Sequence, residues 1–183
     1  MKLQRKLNIG RFHFSFTLNA FWKRGVITIG CYDLCPDSTH VIFLDYDKFR
    51  FEWILDELRY LQRKFKLSTF YIFESSRGSF HAVCFDKLRN YELHKLLQCT
   101  NIDESFYSAS FWDYGSRVLR LFPKGEKPAP SLRLALRSKY HKRLKSLDHI
   151  ELFEKNYGIK IDKRNAERLG KVWMIKYRTE HGI

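Results

Sequence analysis

The sequence predicts an α+β fold, in which a mixed or antiparallel β-sheet is flanked by helices. Segments with the two-residue period of a strand interleave with segments of helical period along the 183 residues. Two strand segments are separated by a short glycine-containing loop, which is typical of a β-hairpin. Since 44% of the residues are hydrophobic, we expect one domain spanning residues 1–183 around a substantial core.

The first predicted strands lie in the N-terminal quarter of the chain. Residues 11–18, RFHFSFTL, alternate strictly between apolar and polar side chains, which indicates a half-buried strand. Residues 26–30, VITIG, are predicted as the next strand, and residues 41–44, VIFL, as a third. Because VIFL is apolar on both faces, we expect this strand at the centre of the sheet, covered on both sides.

A helix and the hairpin are predicted to follow. From Phe51 to Phe65 the apolar residues recur at the helical period, and Asp47 is placed to cap this helix. Residues 69–74 and 79–85 would form the two strands of the hairpin, with Gly78 in its loop.

The second half of the chain predicts fewer elements. A short helix is expected over residues 90–98, and strands over residues 116–122 and 131–137. The motif-bearing core then spans about residues 26–124. The C-terminal part, about residues 138–183, is basic and is predicted to be mainly helical.

The charge balance points to a polyanionic partner. The chain has 34 Lys and Arg against 20 Asp and Glu, a net charge of +14. This excess indicates nucleic acid first and an acidic membrane surface second. No apolar run approaches the roughly 18 residues of a membrane span, and the basic N-terminus lacks the apolar region of a signal peptide. We therefore expect a cytoplasmic protein that does not enter a membrane.

The cysteines are consistent with a reducing compartment, because the four of them form no dense disulfide framework. The spacing of Cys31 and Cys35, with His40 nearby, leaves two interpretations open. They are ligands of a zinc ion, or they are small buried apolar residues. The lack of a close fourth ligand favours burial.

Two aspartates end the most apolar strand. In FLDYD, Asp45 and Asp47 fall on the same face of a strand because side chains alternate. One interpretation is that Asp47 caps the following helix and Asp45 is a solvated strand end. The other is that a cation separates the two like charges, and hard divalent ions prefer carboxylate oxygens.

The hairpin supplies groups that suit a triphosphate. Ser79 and His81 share one face of the second hairpin strand. The loop before them holds Arg77 and Gly78, which would suit a backbone that approaches phosphate.

A third carboxylate and further cations follow along the chain. Asp103 comes directly after the apolar Ile102. Downstream, Arg117, Arg120 and Lys124 are candidates for neutralising phosphate groups.

The order of these motifs resembles the three motifs of the archaeo-eukaryotic primase superfamily, which read hhDhD, S-x-H and hD. The matching residues are Phe43–Asp47, Ser79–His81 and Ile102–Asp103. In addition, IDESFY followed by VLRL is similar to a pattern of the small primase-polymerases of plasmids, viruses and eukaryotes. The resemblance covers roughly residues 26–124.

The resemblance implies a catalytic core like the RNA-recognition fold and a DNA-dependent nucleotidyltransferase, a primase or primase-polymerase. By this resemblance Asp45, Asp47 and Asp103 are the catalytic residues and would hold two Mg²⁺ or Mn²⁺ ions. Ser79 and His81 would bind the triphosphate of the incoming NTP or dNTP. Such an enzyme makes or extends primers on a single-stranded DNA template by phosphoryl transfer.

The resemblance also implies partners. Single-stranded DNA is the expected template, and a helicase or an accessory primase subunit is a candidate partner. The small size and the lack of accessory domains point to a mobile genetic element.

Basic residues near the C-terminal third are candidates for template binding. Residues 131–146 contain six Lys and Arg and no acidic residue. They form either a solvated basic helix or a surface that follows the phosphates of the template. The candidates are Arg133, Arg137, Lys139, Lys142 and Arg143. Candidates for stacking on template bases are Trp22, Trp112 and Tyr114.

Two other functions compete with the enzyme. RGSFHAVCF loosely resembles the central-strand motif of RNA-recognition domains, which would make the chain a non-catalytic nucleic-acid binder. That interpretation does not explain the two aspartates, which would repel a nucleic acid. A rolling-circle replication nickase is less consistent with the sequence, because its histidine–hydrophobic–histidine metal pair is missing.

Overall fold

The structure is a computed structural model. It describes the backbone of residues 2–9, 12–19, 26–104, 106–108, 117–170 and 172–179. Side chains are described within residues 30–104, 106–108, 117–170 and 172–174. Contacts divide the chain into two compact units: Met1–Val26 with Arg178–Ile183, and Ile27–Tyr177.

The first unit contains two long strands, β1 (Lys2–Ile9) and β2 (Phe12–Asn19). They pair antiparallel, with Lys2 opposite Asn19 and Ile9 opposite Phe12. The alternating segment RFHFSFTL is therefore a strand, as predicted. Strand β1 was not predicted, because its basic residues interrupt the alternation of Leu3, Leu7 and Ile9.

The second unit contains the motifs. Its elements are, in chain order, β3 (Val26–Tyr32), β4 (His40–Asp47), α1 (Phe51–Phe65), β5 (Phe70–Ser76), β6 (Ser79–Leu88), α2 (Asn90–Leu97), β7 (Val118–Arg120), β8 (Ser131–Leu136), β9 (Lys145–Ser146), α3 (Leu147–Tyr157), β10 (Ala166–Glu167) and β11 (Met174–Thr179).

A central sheet is built around β6. Strands β4 and β5 pair with β6 antiparallel, and β8 pairs antiparallel with β5. The two-residue strand β9 pairs antiparallel with β6, and β10 pairs parallel with β9, so the sheet is mixed. Strands β11, β3 and β7 form a separate three-stranded sheet. The prediction of an α+β fold with a mixed sheet and flanking helices is confirmed.

Both faces of the central sheet are covered. On one face, Ile42 and Leu44 of β4 pack with apolar residues of α1 and α2, such as Leu58 and Leu96. On the other face, Val41 and Phe43 pack with residues of β3, β7 and α3, such as Phe153. Strand β4 therefore contributes to two cores, as the doubly apolar segment VIFL predicted.

The prediction of a mainly helical C-terminal part is wrong. Among the described residues from 138 onward, α3 is one helix of 11 residues, and strands β9, β10 and β11 occupy other stretches. Residues 131–146 likewise form no helix, because Ser131–Leu136 is a strand paired with β5. Strand pairing overrides the weak local periodicity of these basic segments. Among the described residues, none of the helices has the length and apolar character that crossing a bilayer requires.

Candidate active site

The predicted motif residues meet where β4 and β6 lie side by side. In the antiparallel register Asp45 is opposite His81, and Asp47 is opposite Ser79. Because side chains alternate along both strands, all four lie on the same face of the sheet. They line a cleft of about 280 Å³ together with Asp103 and Arg120.

The two strand-end aspartates have different neighbours. The Ser79 hydroxyl donates a short hydrogen bond to Asp47 Oδ1. Asp45 Oδ1 lies 3.7 Å from His81 Nε2, and the Asp45 side chain is only 32% exposed. The residue that caps α1 is Arg50, and it makes no side-chain cap hydrogen bond. Asp47 therefore does not cap this helix, and Asp45 is not a solvated strand end.

A backbone hydrogen bond positions the third carboxylate, that of Asp103, at the cleft. The Asp103 N–H donates to the carbonyl of Asp45 over 2.9 Å, which fixes the segment after α2 against β4. The Asp103 side chain also accepts a hydrogen bond of 3.1 Å from the Phe106 N–H, so it begins a short helical turn. Asp103 thus combines a local structural role with a position in the cleft.

The environment of the cleft shifts the pKa values of Asp45 and His81. Burial, then the charge of Asp103, then that of Asp47 raise the pKa of Asp45 to about 7. Burial, with a smaller effect of the Arg120 charge, lowers the pKa of His81 to about 3. His81 is therefore neutral at physiological pH and presents one ring N–H as a donor. Because the charges of Asp103 and Asp47 raise the pKa of Asp45, a cation placed among the three carboxylates would be favourable.

Cationic side chains form another wall of the cleft. Arg120 is held by three carbonyl oxygens, those of Ser75 at 2.5 Å, Pro128 at 2.6 Å and Phe122 at 3.0 Å. Lys124 and Lys127 line the same cleft and pair with each other through backbone hydrogen bonds of 2.9 and 3.0 Å.

The clustering of these charges affects the pKa of one lysine. Burial, and then the charges of Lys127 and Arg120, lower the pKa of Lys124. This concentration of positive charge beside the carboxylates would suit an anionic ligand that also coordinates a metal ion.

The donor set fits a metal that is shared with a ligand rather than a closed cage. As placed, the described residues include no group of three or more His, Cys, Asp or Glu side chains arranged to hold a metal ion. Mg²⁺ is usually held by one or two carboxylates, with water and substrate phosphates completing its octahedron. Asp45, Asp47 and Asp103 supply oxygen ligands of the kind that Mg²⁺ and Mn²⁺ prefer.

Arg117 does not reach the cleft, so its assignment to nucleotide binding is wrong. Its side chain is fully buried beside the equally buried Asp33, with Nε 3.3 Å from Asp33 Oδ2. The Arg117 N–H also donates to Asp33 Oδ1 over 2.8 Å. Arg117 lies just before β7, whereas Arg120 is the last residue of β7. Because side chains alternate along a strand, residues three positions apart point to opposite faces.

Arg77 and Lys127, two other loop residues, differ in whether they line the cleft. Arg77 is exposed in the turn of the hairpin, beside Gly78 with its φ of +76°, and is not among the residues that line the cleft. Lys127 lines the cleft but was not predicted. The sequence KGEK could have indicated this position, because a glycine between two lysines suits a tight turn that places both lysine side chains close together.

The predicted template residues are spread over the β8 edge and the loop that follows. Arg133 lies over the Phe51 ring at 5.9 Å, and Arg143 pairs with Glu92. The others, Arg137, Lys139 and Lys142, are exposed. The stacking candidates Trp22, Trp112 and Tyr114 lie outside the described residues.

The cysteine pair is buried in the protein core. Cys31 and Cys35 belong to the second hydrophobic cluster, and burial raises the pKa of both thiols. His40 is engaged by Asp33, whose Oδ1 lies 3.3 Å from its Nδ1. These positions favour the interpretation as small buried apolar residues.

Comparisons with known proteins give no relative. No family model, curated protein or solved structure matches the chain.

Proposed function

We propose that the protein is a metal-dependent nucleotidyltransferase, a primase or primase-polymerase that makes or extends primers on a single-stranded DNA template. One observation carries the proposal. Asp45, Asp47 and Asp103 line the same cleft as Ser79 and His81, and these are the residues to which the resemblance to archaeo-eukaryotic primases assigns catalysis and triphosphate binding.

The arrangement of the second unit supports the same proposal. The order β4-α1-β5-β6-α2-β7 follows the β-α-β-β-α-β order of ferredoxin-like motifs, and β6 lies between β4 and β5. This is consistent with a core like the RNA-recognition fold. Strand β7 departs from that pattern, because it pairs with β3 in a separate sheet.

The charges of the cleft suit a nucleoside triphosphate with its metal ions. Asp45, Asp47 and Asp103 would hold Mg²⁺ or Mn²⁺, which activates the attacking hydroxyl and stabilises the leaving pyrophosphate when bound. Two divalent ions and three cationic side chains carry about +7. Three carboxylates and a triphosphate carry about −7, so the loaded site would be close to neutral.

The remaining residues of the cleft would position the substrate. His81 is neutral and buried, so its N–H would donate to a phosphate oxygen without adding a charge. The Ser79 hydroxyl orients Asp47. Arg120, fixed by carbonyl oxygens, would present a rigid positive charge to the phosphates.

A primer synthesis and extension assay tests the proposal. The wild type and the Asp45→Asn/Asp47→Asn variant are incubated with single-stranded template, labelled NTPs or dNTPs, and Mg²⁺ or Mn²⁺, with and without primer. We expect the variant to lose at least roughly 100-fold in rate, as when charge-stabilising groups of an active site are removed. Product without a supplied primer would identify a primase.

The control is Asp56→Asn, which removes an exposed carboxylate of α1 that pairs only with neighbouring Arg59 in the described contacts. It should extend primers at the wild-type rate. If the wild type makes no product with either metal while wild type and variant bind template equally, the enzyme proposal fails. A non-catalytic nucleic-acid binder is then the better description.

A further inference from the structure

A second cleft, of about 390 Å³, lies between the start of β5, the end of β8 and the loop after α3. Its floor includes Tyr71, and its walls include Arg137, His141, Lys160, Asp162 and Arg164. We call it the basic cleft.

The single carboxylate of the basic cleft is already matched by cations. Asp162 Oδ2 accepts a hydrogen bond of 3.0 Å from the buried Lys145 ammonium. Arg164 binds both oxygens of Asp162 through Nε and Nη2, each at 3.0 Å. The Asp162 N–H also donates to the Tyr71 hydroxyl over 3.1 Å. This network holds the floor of the cleft in place, and the negative charge of Asp162 is balanced by Lys145 and Arg164.

The other cations of the basic cleft are in excess. Arg137 and Lys160 are exposed, and neither side chain forms a hydrogen bond or a salt bridge with another described residue, although the charge of Lys160 helps to lower the pKa of Glu154. His141 lies between them and the network, with its Nε2 3.3 Å from Arg164 Nη2. Its Nδ1 is buried and lies 3.6 Å from Asp162 Oδ2, so this side chain belongs to the network around Asp162. The cleft therefore offers several donors to one anion.

The basic cleft shares a face of the sheet with the candidate active site. Tyr71 is opposite Val83 on β6, and Val83 is two residues from His81 on the same face. From Tyr71 to Ser75, which lines the active-site cleft, the strand rises roughly 13 Å. Phe73 lies between these two residues and is buried against Phe153 and Tyr157 of α3, so a nucleic-acid strand that joins the two clefts passes around this packed region and needs at least about four nucleotides.

We propose that the basic cleft binds a backbone phosphate of the nucleic-acid strand, at least about four nucleotides from the reacting end. The proposal rests on the proposed function and adds a second contact point for the same strand. Arg137 and Lys160 supply the free charges, and the network around Asp162 holds Arg164 and His141 in place. Because the distance from the active-site cleft exceeds the reach of one nucleotide, the phosphate would belong to the strand and not to the nucleotide bound at the active site.

Strand binding without metal or nucleotide tests this proposal separately from catalysis. Anisotropy of a labelled 20-nucleotide DNA is measured against salt for the wild type and for Arg137→Ala/Lys160→Ala. Each lost phosphate contact removes about 0.7 from the slope of log K against log salt, so the slope should fall by about 1.4. At about 0.1 M salt the affinity should fall roughly 25-fold.

The matched control is Lys64→Ala/Lys95→Ala, which removes two positive charges from exposed sites on α1 and α2 that line neither cleft. It should weaken binding much less than the cleft variant does. Equal weakening in both variants would overturn the proposal, because the effect would then reflect net charge alone.

Two further readouts separate the possible ligands and the two proposals. Binding of a labelled nucleoside triphosphate should be unchanged in Arg137→Ala/Lys160→Ala, and its loss would overturn the proposal in favour of a nucleotide site. In primer extension the variant should raise KM for the template with kcat unchanged. If the wild type extends primers but the cleft variant binds the strand normally, only the inference about the basic cleft fails. If the wild type is inactive but the binding loss is seen, only the proposed function fails.

Discussion

Removing the carboxylate of Asp33 should lower the free energy of unfolding of the protein without a direct effect on nucleotide binding. Asp33 and Arg117 are both fully buried, and their side chains approach to 3.3 Å. In Asp33→Ala the guanidinium of Arg117 loses the neighbouring Asp33 carboxylate, and the Arg117 and His40 nitrogens lose an acceptor. The pair therefore acts as a structural unit that fixes the start of β7.

The expected magnitude follows from the cost of a buried charge without its partner. Breaking a buried ion pair by removing one member costs about 3–5 kcal/mol. With a urea dependence of about 2 kcal/mol per molar, the unfolding midpoint of Asp33→Ala should fall by roughly 1.5–2.5 M. Replacing both members, as in Asp33→Ala/Arg117→Met, also removes the buried guanidinium and should recover a large part of this loss.

Urea unfolding of the wild type, Asp33→Ala and the double variant measures the effect, with the fluorescence of tryptophan as signal. Binding of a labelled nucleotide under native conditions serves as the second readout. A stability of Asp33→Ala equal to that of the wild type would refute the structural role. So would a double variant that is as stable as the wild type but no longer binds nucleotide, since Arg117 would then act on the ligand directly.

Three other predictions concern pH, the hairpin turn and the metal. Burial lowers the pKa of His149, so the unfolded chain takes up a proton below about pH 6.5 that the folded chain does not. Stability should therefore fall with pH below 6.5, by up to about 1.4 kcal/mol per pH unit, and His149→Gln should flatten this slope in urea titrations. Gly78 has a φ of +76° and open space around it, so Gly78→Ala should cost about 1–2 kcal/mol from backbone strain alone, and Gly78→Asn less. Mn²⁺ at about 100 times its Kd should stabilise the wild type by about 2.7 kcal/mol in thermal unfolding, whereas an equal shift in Asp45→Asn would place the ion elsewhere.

The parts of the fold with strong periodicity were predicted correctly. The helix from Phe51 to Phe65 and the hairpin around Gly78 follow from local patterns that tertiary packing reinforces. The C-terminal part was not, because strands such as Met174–Thr179 depend on pairing with a distant strand, β3. No local pattern encodes that pairing, so a basic segment of mixed periodicity predicts a helix where the structure has strands.

The candidate site follows the same division between local and distant information. Period 2 was enough to place Asp45 with Asp47, and Ser79 with His81, but only the β4–β6 register brings Asp45 opposite His81. Arg117 shows what local reasoning misses, since its burial is set by Asp33, a residue far away in the sequence. A cation near a motif is thus weak evidence of phosphate binding until its counter-charge is known. By that criterion Arg137 and Lys160, which are exposed and form no salt bridge with a described residue, are stronger candidates for a phosphate than Arg117.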